Sequence, residues 1–416
     1  MNKLLLLIML TGSSLSIKAQ YNDPAIPKPS NGYGADGNHT IQVITFSNPN
    51  FTNKNIEIYY PGDLTTKVPT IFYSHAYGGN ISANISGMLN FVARKGYAIV
   101  YVPYQTTGVT VQDRYTNLLQ GFRLAARTYP NIIDTTWVGF MGHSFGGGAS
   151  FGLAYTCFTE NNWGVNGRFI YALAQWYSYN ISQDNLKNFP TNTKLLTEIF
   201  DDDTTNDHRM AIDIFRNISI PEADKDFICL KSDTINNYIY LADHVVPNTS
   251  AAFNALDYYA YYRFIDALCD YTFNNNPDGK LVALGHGSTE QITMPGSLKP
   301  LAETLAPTPK YEESKYLFPC DDTQNLRQSY CTPTTDLHST AIENSVPIFG
   351  YNQQENSIVL KEEFSGKAIN IYNLQGEKVA IFYGKKYAGT NLKLPKISAG
   401  LYIILCENSC SKFIRF

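Results

Sequence analysis

Beyond its first residues, this 416-residue chain has no apolar stretch as long as the roughly 20 residues that a membrane-crossing helix needs. Charge is scarce as well. Asp, Glu, Lys and Arg make up 16% of the chain and nearly cancel to a net charge of −4, with no basic block. Neither nucleic acid nor an anionic membrane surface is therefore an expected partner. The seven cysteines are too few for a dense disulfide framework, and no Cys/His spacing matches a zinc site. No metal or organic cofactor is expected. What the chain does have is 44% hydrophobic residues, enough to bury a large core and a second small one.

Residues 1–19 read as a secretory signal. Lys3 supplies the positive start, Leu4 to Leu10 the apolar centre, and Ile17-Lys18-Ala19 a cleavage site before Gln20. The expected destination is outside the cytoplasm, secreted or at the cell surface. Cys320 and Cys331 flank a polar segment, and Cys406 and Cys410 flank a short turn, so each pair is a candidate bridge. Cys157, Cys229 and Cys269 sit in apolar runs and read as buried thiols.

From residue 40 onward, strand and helix patterns alternate. Thr40 to Phe46, Asn55 to Tyr60, Val68 to Ser74, Tyr97 to Val102, Phe169 to Gln175, Lys194 to Phe200 and Asp226 to Lys231 read as strands. Met88 to Lys95, Val111 to Thr128 and Ala251 to Phe273 carry apolar residues at helical spacing. Two strands followed by repeated β-α units predict an α/β fold, a mostly parallel sheet flanked by helices. Residues 291–350 are rich in Pro, Thr and Ser and read as a linker or extension carrying one disulfide loop. Residues 351–416 show short alternating segments between Gly- and Asn-containing turns, which predicts a small all-β sandwich. The organisation is thus 1–19 signal, 20–290 main domain, 291–350 extension and 351–416 C-terminal domain.

The densest local signal is Trp137-Val-Gly-Phe-Met-Gly-His-Ser-Phe-Gly-Gly-Gly148. A buried strand runs into Gly142-x-Ser144-x-Gly146, and small residues that can start a closely packed helix follow. A serine on such a strand-to-helix turn presents its hydroxyl outward, and glycines on both sides keep Cβ atoms out of crowded backbone. Serine is a weak nucleophile at neutral pH and needs a base, which in turn needs a carboxylate to orient it. The strand ending at Phe200 leads into Asp201-Asp202-Asp203. Asp203, at the start of the loop proper, is the favoured acid, with Asp202 and then Asp207 as alternatives. His244 follows the last strand and precedes the long helical segment, the expected place for the base. His208 lies too close to the acid loop, His286 comes after the helix, and His143 should be structural. Negative charge developing on a carbonyl oxygen calls for two backbone N–H groups. The residue after the serine, Phe145, offers one. Ser74-His-Ala-Tyr-Gly-Gly79 after the third strand makes Tyr77 the second candidate. Tyr77, Tyr104 and Trp176 follow strand ends and are candidate substrate-binding aromatics.

On these residues the segment up to about position 290 resembles the α/β-hydrolase superfamily. It looks most like the secreted group with a dienelactone-hydrolase or polyester-hydrolase style of core. The resemblance implies a serine hydrolase of carboxylic esters, with Ser144 as nucleophile, Asp203 as acid, His244 as base and Tyr77 and Phe145 at the oxyanion positions. The expected substrate is a small or polymeric ester. A peptidase on the same fold, or a catalytically silent secreted binding protein, is the competing reading. The last 60 residues are similar to the type A C-terminal sorting domain of the type IX secretion system. The segments Ile369 to Val379, Leu394 to Tyr402 and Lys412 to Phe416 carry that likeness. It implies the type IX machinery as a partner and export through the outer membrane.

Overall fold

The computed structural model describes residues 20–322 and 325–331. It also describes segments 349–352, 357–360, 368–373, 378–382, 391–395, 400–406 and 409–415. The expected signal segment lies outside them. The chain divides into two compact units, the first ending at Tyr330 and the second beginning at Cys331.

In the first unit, strands β1 (Ile41–Ser47), β2 (Asn55–Pro61), β3 (Val68–Ser74), β4 (Ala98–Tyr101), β5 (Ile133–His143), β6 (Gly167–Leu173), β7 (Thr193–Phe200) and β8 (Lys225–Leu230) join one sheet. A small hairpin, β9 (Asp233–Ile235) and β10 (Tyr238–Tyr240), stands apart, and β11 (Ala302–Glu303) closes the far edge. The sheet order is β1-β2-β4-β3-β5-β6-β7-β8-β11. Strands β4 through β8 run parallel, whereas β1, β2 and β11 pair antiparallel at the edges. This is the mostly parallel α/β sheet that the alternation predicts.

The central strands are apolar on both sides because both faces are covered. Along β3, Ile71 and Tyr73 enter the core on one face and Phe72 the core on the other. Helices α1 (Ser86–Arg94), α2 (Val111–Thr128), α3 (Phe145–Glu160), a short α4 (Gln183–Lys187), α5 (Arg209–Asn217) and α6 (Arg263–Asn274) are distributed over those faces. Thr110 starts α2 with a capping box, its hydroxyl accepting from Asp113 N–H while the Asp113 carboxylate accepts from Thr110 N–H. Leu256–Tyr262 precedes α6 as a wider π-type turn.

One feature of strand order places the site. From β3 the chain winds outward to β4 on one side, then returns to place β5 on the other. The carboxyl ends of β3 and β5 therefore flank a topological switch point, where open α/β sheets form their ligand crevice.

Composition alone reads the stretch from 291 as a linker, yet it remains part of the first unit through Tyr330. Arg327 makes a paired contact with Asp213, at 2.6 and 2.9 Å, inside the protein. Arg209 reaches Glu313 at 2.6 Å and the Phe318 carbonyl at 2.8 Å. Cys320 and Cys331 are joined by a disulfide. Cys157 and Cys269 are buried free thiols, while Cys229 is free and only partly buried.

The second unit contains only β-structure among its described residues. Its strands are β12 (Phe349–Asn352), β13 (Ser357–Leu360), β14 (Ile369–Tyr372), β15 (Lys378–Phe382), β16 (Asn391–Lys393), β17 (Gly400–Cys406) and β18 (Ser409–Arg415). They form antiparallel sheets in the orders β12-β13-β16 and β15-β14-β17-β18, a small all-β sandwich. The hairpin register sets Cys406 opposite Ser409 and Cys410 opposite Leu405, so the two cysteines are not register partners.

Candidate active site

β5 delivers Ser144 to the switch point in a conformation that a non-glycine residue avoids. Its φ of 56° and ψ of −120° lie outside the ordinary regions for an L-residue. Such strain costs on the order of 1–3 kcal/mol and persists only when the surroundings over-determine it. Here three backbone hydrogen bonds do so. Ser144 N–H donates to Leu173 O at 2.9 Å, while Ser144 O accepts from Gly148 N–H at 3.1 Å and Trp176 N–H at 2.8 Å. The flanking glycines are required by packing. A Cβ on Gly146 would lie 1.9 Å from Ser74 O, and one on Gly142 would lie 2.2 Å from Gly146 O. Helix α3 begins at Phe145, so its amino end, with unpaired N–H groups and a positive dipole end, faces the same place.

The three consecutive aspartates separate by partner. The Asp201 carboxylate contacts Lys310 at 2.6 Å and Lys231 at 3.4 Å. Asp202 is exposed. Asp203 turns inward. Its Oδ1 accepts from the N–H groups of Thr205 at 2.8 Å and Asn206 at 3.0 Å, and its Oδ2 lies 2.8 Å from His244 Nδ1. An ionised carboxylate can only accept, so Nδ1 carries a proton, which in the neutral ring leaves the lone pair on Nε2. Both side chains are largely buried, at 8% and 14% exposure, which limits solvent screening of their contact. The other candidate acid, Asp207, is engaged instead by Arg209 at 2.6 Å.

His143 precedes the serine in sequence, and its ring packs on that of His244. It is buried, and its ring centroid is 4.7 Å from that of His244. Burial holds its pKa well below the ordinary histidine value, so it packs as a neutral ring. His244 therefore reaches the elbow at the residue next to Ser144. A direct hydrogen bond between Ser144 Oγ and His244 is not among the contacts of the described residues. Such bonds often tighten only when substrate arrives. His208 bonds Tyr316 and the Lys310 N–H, and His286 N–H donates to Asp226, so neither joins the serine.

The turn after β3 is built from behind. Tyr104 N–H donates to His75 Nε2 at 3.0 Å, which makes Nε2 an acceptor and places the ring proton on Nδ1. That proton points to Ala76 O at 2.7 Å. Burial keeps His75 neutral, with its pKa pushed down to about 3. Tyr104 stacks on the ring at 3.9 Å between centroids and donates its hydroxyl to His75 O at 2.8 Å. The turn then closes through Gly79 N–H to Ala76 O, with Gly78 at φ +81°. Ala76 does not take a positive φ, so no glycine is demanded there.

Tyr77 and Phe145 both pack near one cation. The Arg114 guanidinium lies 5.1 Å from the Tyr77 ring centroid and 5.4 Å from that of Phe145. Tyr77 is 54% exposed. Trp176 is partly buried, one backbone hydrogen bond from Ser144, and packs edge-on against Phe318 at 5.6 Å. Tyr104, expected among the substrate-binding aromatics, is fully buried with its hydroxyl already engaged. It props the turn rather than lining a cleft. His143 packs as the structural residue the sequence predicts, whereas the bracing roles of His75 and Tyr104 and the packing of Phe318 on Trp176 are not signalled by the sequence.

Two cavities, of about 400 and 540 Å³, lie behind and beside the acid loop. Asp203, Asn206 and His208 border both. Among the described residues no cluster of His, Cys, Asp and Glu is arranged to hold a metal ion. No helix among them is long and apolar enough to cross a membrane. No protein-family model matches the chain, and no curated protein is significantly similar to it.

Proposed function

We propose that the chain is a secreted α/β-hydrolase that cleaves carboxylic esters through Ser144, His244 and Asp203. One observation carries this reading. A strained, multiply braced serine stands at the switch point, and the histidine whose Nδ1 is held by Asp203 packs against the neighbouring residue. Ser144 Oγ attacks the ester carbonyl carbon while its proton passes to His244 Nε2. Asp203 fixes the tautomer and stabilises the imidazolium. The carbonyl oxygen, now negative, is received by the N–H groups of Phe145 and Tyr77. Collapse of the tetrahedral intermediate breaks the ester C–O bond, and His244 returns the proton to the departing alcohol. Water, activated by the same imidazole, then releases the acid from Ser144. The C-terminal sandwich serves as the address for type IX export, which places the enzyme outside the outer membrane.

The test is hydrolysis of short p-nitrophenyl esters together with labelling by a fluorophosphonate probe. Both should be present in the wild-type protein and vanish in Ser144→Ala. Folded wild-type protein that neither labels nor hydrolyses any ester, but binds a surface ligand, would establish the silent binding protein instead. For the sandwich, deletion of 351–416 should leave the protein in the periplasm. Undiminished export of the truncated chain would refute its role as an address.

A further inference from the structure

Residues 20–38 lead into β1 and contain neither helix nor strand. This arm is nevertheless anchored to the main domain. Ile26 is buried in the core. Tyr21 packs edge-on against Phe253 and Tyr258, at 5.8 and 5.5 Å between centroids, and donates its hydroxyl to Ile26 O at 2.7 Å. Asp23 organises this end of the arm. Its Oδ1 accepts from the N–H groups of Ala25 at 2.9 Å and Ile26 at 2.8 Å, which closes a turn of the arm on itself.

The same carboxylate also reaches the segment that carries His244. Tyr240, the last residue of β10, donates its hydroxyl to Asp23 Oδ1 at 2.7 Å, and Ala255 N–H donates to Asp23 Oδ2 at 3.0 Å. Those two residues bound the loop 241–254, with His244 near its start. Asn22 adds ties at the same two ends. Its N–H donates to Phe253 O at 2.9 Å, and its carbonyl accepts from the Tyr238 hydroxyl at 3.4 Å. That hydroxyl in turn accepts from Asn254 Nδ2 at 3.2 Å. On its inner side the loop meets the acid loop, where Asp202 N–H donates to Ala242 O at 3.0 Å. A free loop of this length has many closed conformations, and fixing both ends on one turn removes most of them. Hydrogen bonds to a carboxylate are roughly twice as strong as neutral ones, which suits Asp23 to that task.

We propose that the N-terminal arm braces the catalytic base, with Asp23 as a positioning residue. It holds both ends of the base loop and so keeps His244 on Asp203 and in reach of Ser144. The inference rests on the ester-hydrolase reading above. The arm also has a tie that does not touch this loop, which separates positioning from general stability. Asp36 accepts from the Tyr258 hydroxyl at 3.1 Å and pairs with Lys28 at 3.2 Å.

The experiment uses the full chain. Asp23→Ala removes the brace, Tyr240→Phe removes one donor to it, and Asp36→Ala loosens the arm away from the base loop. Two readouts are taken: kinetics on p-nitrophenyl acetate, and the downfield proton NMR resonance of His244 Nδ1–H, assigned by its loss in His244→Ala. Melting temperatures report whether the fold is kept. Asp23→Ala should lower kcat about ten-fold and Tyr240→Phe about three-fold, with KM changed less than about two-fold. The resonance should broaden or vanish in Asp23→Ala. Asp36→Ala should leave both readouts at wild-type values. Folded Asp23→Ala and Tyr240→Phe with wild-type kcat and an unchanged resonance would overturn the proposal, as would an equal loss in Asp36→Ala. If Asp23→Ala does not fold, Tyr240→Phe decides alone. A wild type that hydrolyses no ester would remove the hydrolase reading, while the resonance still reports whether Asp23 holds His244 on Asp203.

Discussion

Replacing Asp203 by Asn tests the proposed chemistry most directly, because the structure dictates what an isosteric amide must give up. The carboxylate has two tasks. Its Oδ1 accepts two backbone N–H groups that shape the 203–206 turn, and its Oδ2 accepts from His244 Nδ1. An amide has one acceptor oxygen and one donor nitrogen. If the oxygen keeps the turn, the NH₂ faces Nδ1–H, and His244 must move its proton to Nε2, where it can no longer accept from serine. If the oxygen turns to His244, two backbone donors face an NH₂ and the loop loosens. The first arrangement retains both turn bonds and should prevail, leaving the fold intact with the wrong tautomer. A wrong tautomer in a serine triad costs about 10⁴ in kcat, or roughly 5.4 kcal/mol of transition-state stabilisation. The assay is kcat/KM on p-nitrophenyl acetate, with melting temperature as the control. Asp202→Asn is the internal comparison. That side chain is exposed, and its loss should change the rate less than about two-fold. Asp203→Asn retaining activity within about ten-fold of wild type, or Asp202→Asn losing as much, would refute the assignment of the acid.

Gly146→Ala should destabilise the protein by about 3 kcal/mol and abolish activity, because the new Cβ would lie 1.9 Å from an immovable backbone oxygen; urea unfolding and ester hydrolysis measure the two effects. Arg327→Met should cost about 3–5 kcal/mol, because it leaves the buried Asp213 carboxylate without its partner; the same unfolding experiment reads it. Stability should also fall as pH rises. Burial pushes Glu198 up to about 8, and burial beside Asp226 pushes Glu303 up to about 7, from an ordinary value of 4.5. Between 4.5 and those values the native state holds protons that the unfolded state has released, so each upward step in pH favours unfolding until the groups ionise. The urea midpoint should be lower at pH 8.5 than at pH 5.5, and Glu198→Gln should flatten part of that slope; a midpoint that rises across this window in the wild type would contradict the sign.

How much of this was legible in the sequence depends on the range of the signal. The central strands announce themselves because a strand buried on both faces must be apolar throughout, as Val138 to Met141 are. The elbow is legible for a related reason. Steric exclusion at Gly142 and Gly146 leaves a mark on residue type at fixed spacing around Ser144. Asp203 was harder. Three identical side chains share one loop, and what separates them is the identity of distant partners, Lys231 and Lys310 for one and His244 for another. The local hints are its place at the start of the loop proper and the Thr204-Thr205 that follow, polar residues of a turn whose N–H groups can face an aspartate two residues back.

Tyr104 shows the opposite failure. An aromatic after a strand end reads as a cleft residue, whereas burial and a hydrogen bond to His75 make it a brace. The stretch from 291 reads as a linker or extension because Pro-, Thr- and Ser-rich sequence has no period to reveal packing. Its attachment depends on single charges, Arg209 to Glu313 and Asp213 to Arg327, which lie more than a hundred positions apart. A period advertises a packed face because many residues repeat the same message. An anchor made of one buried guanidinium sends its message once, and only the fold shows where it arrives.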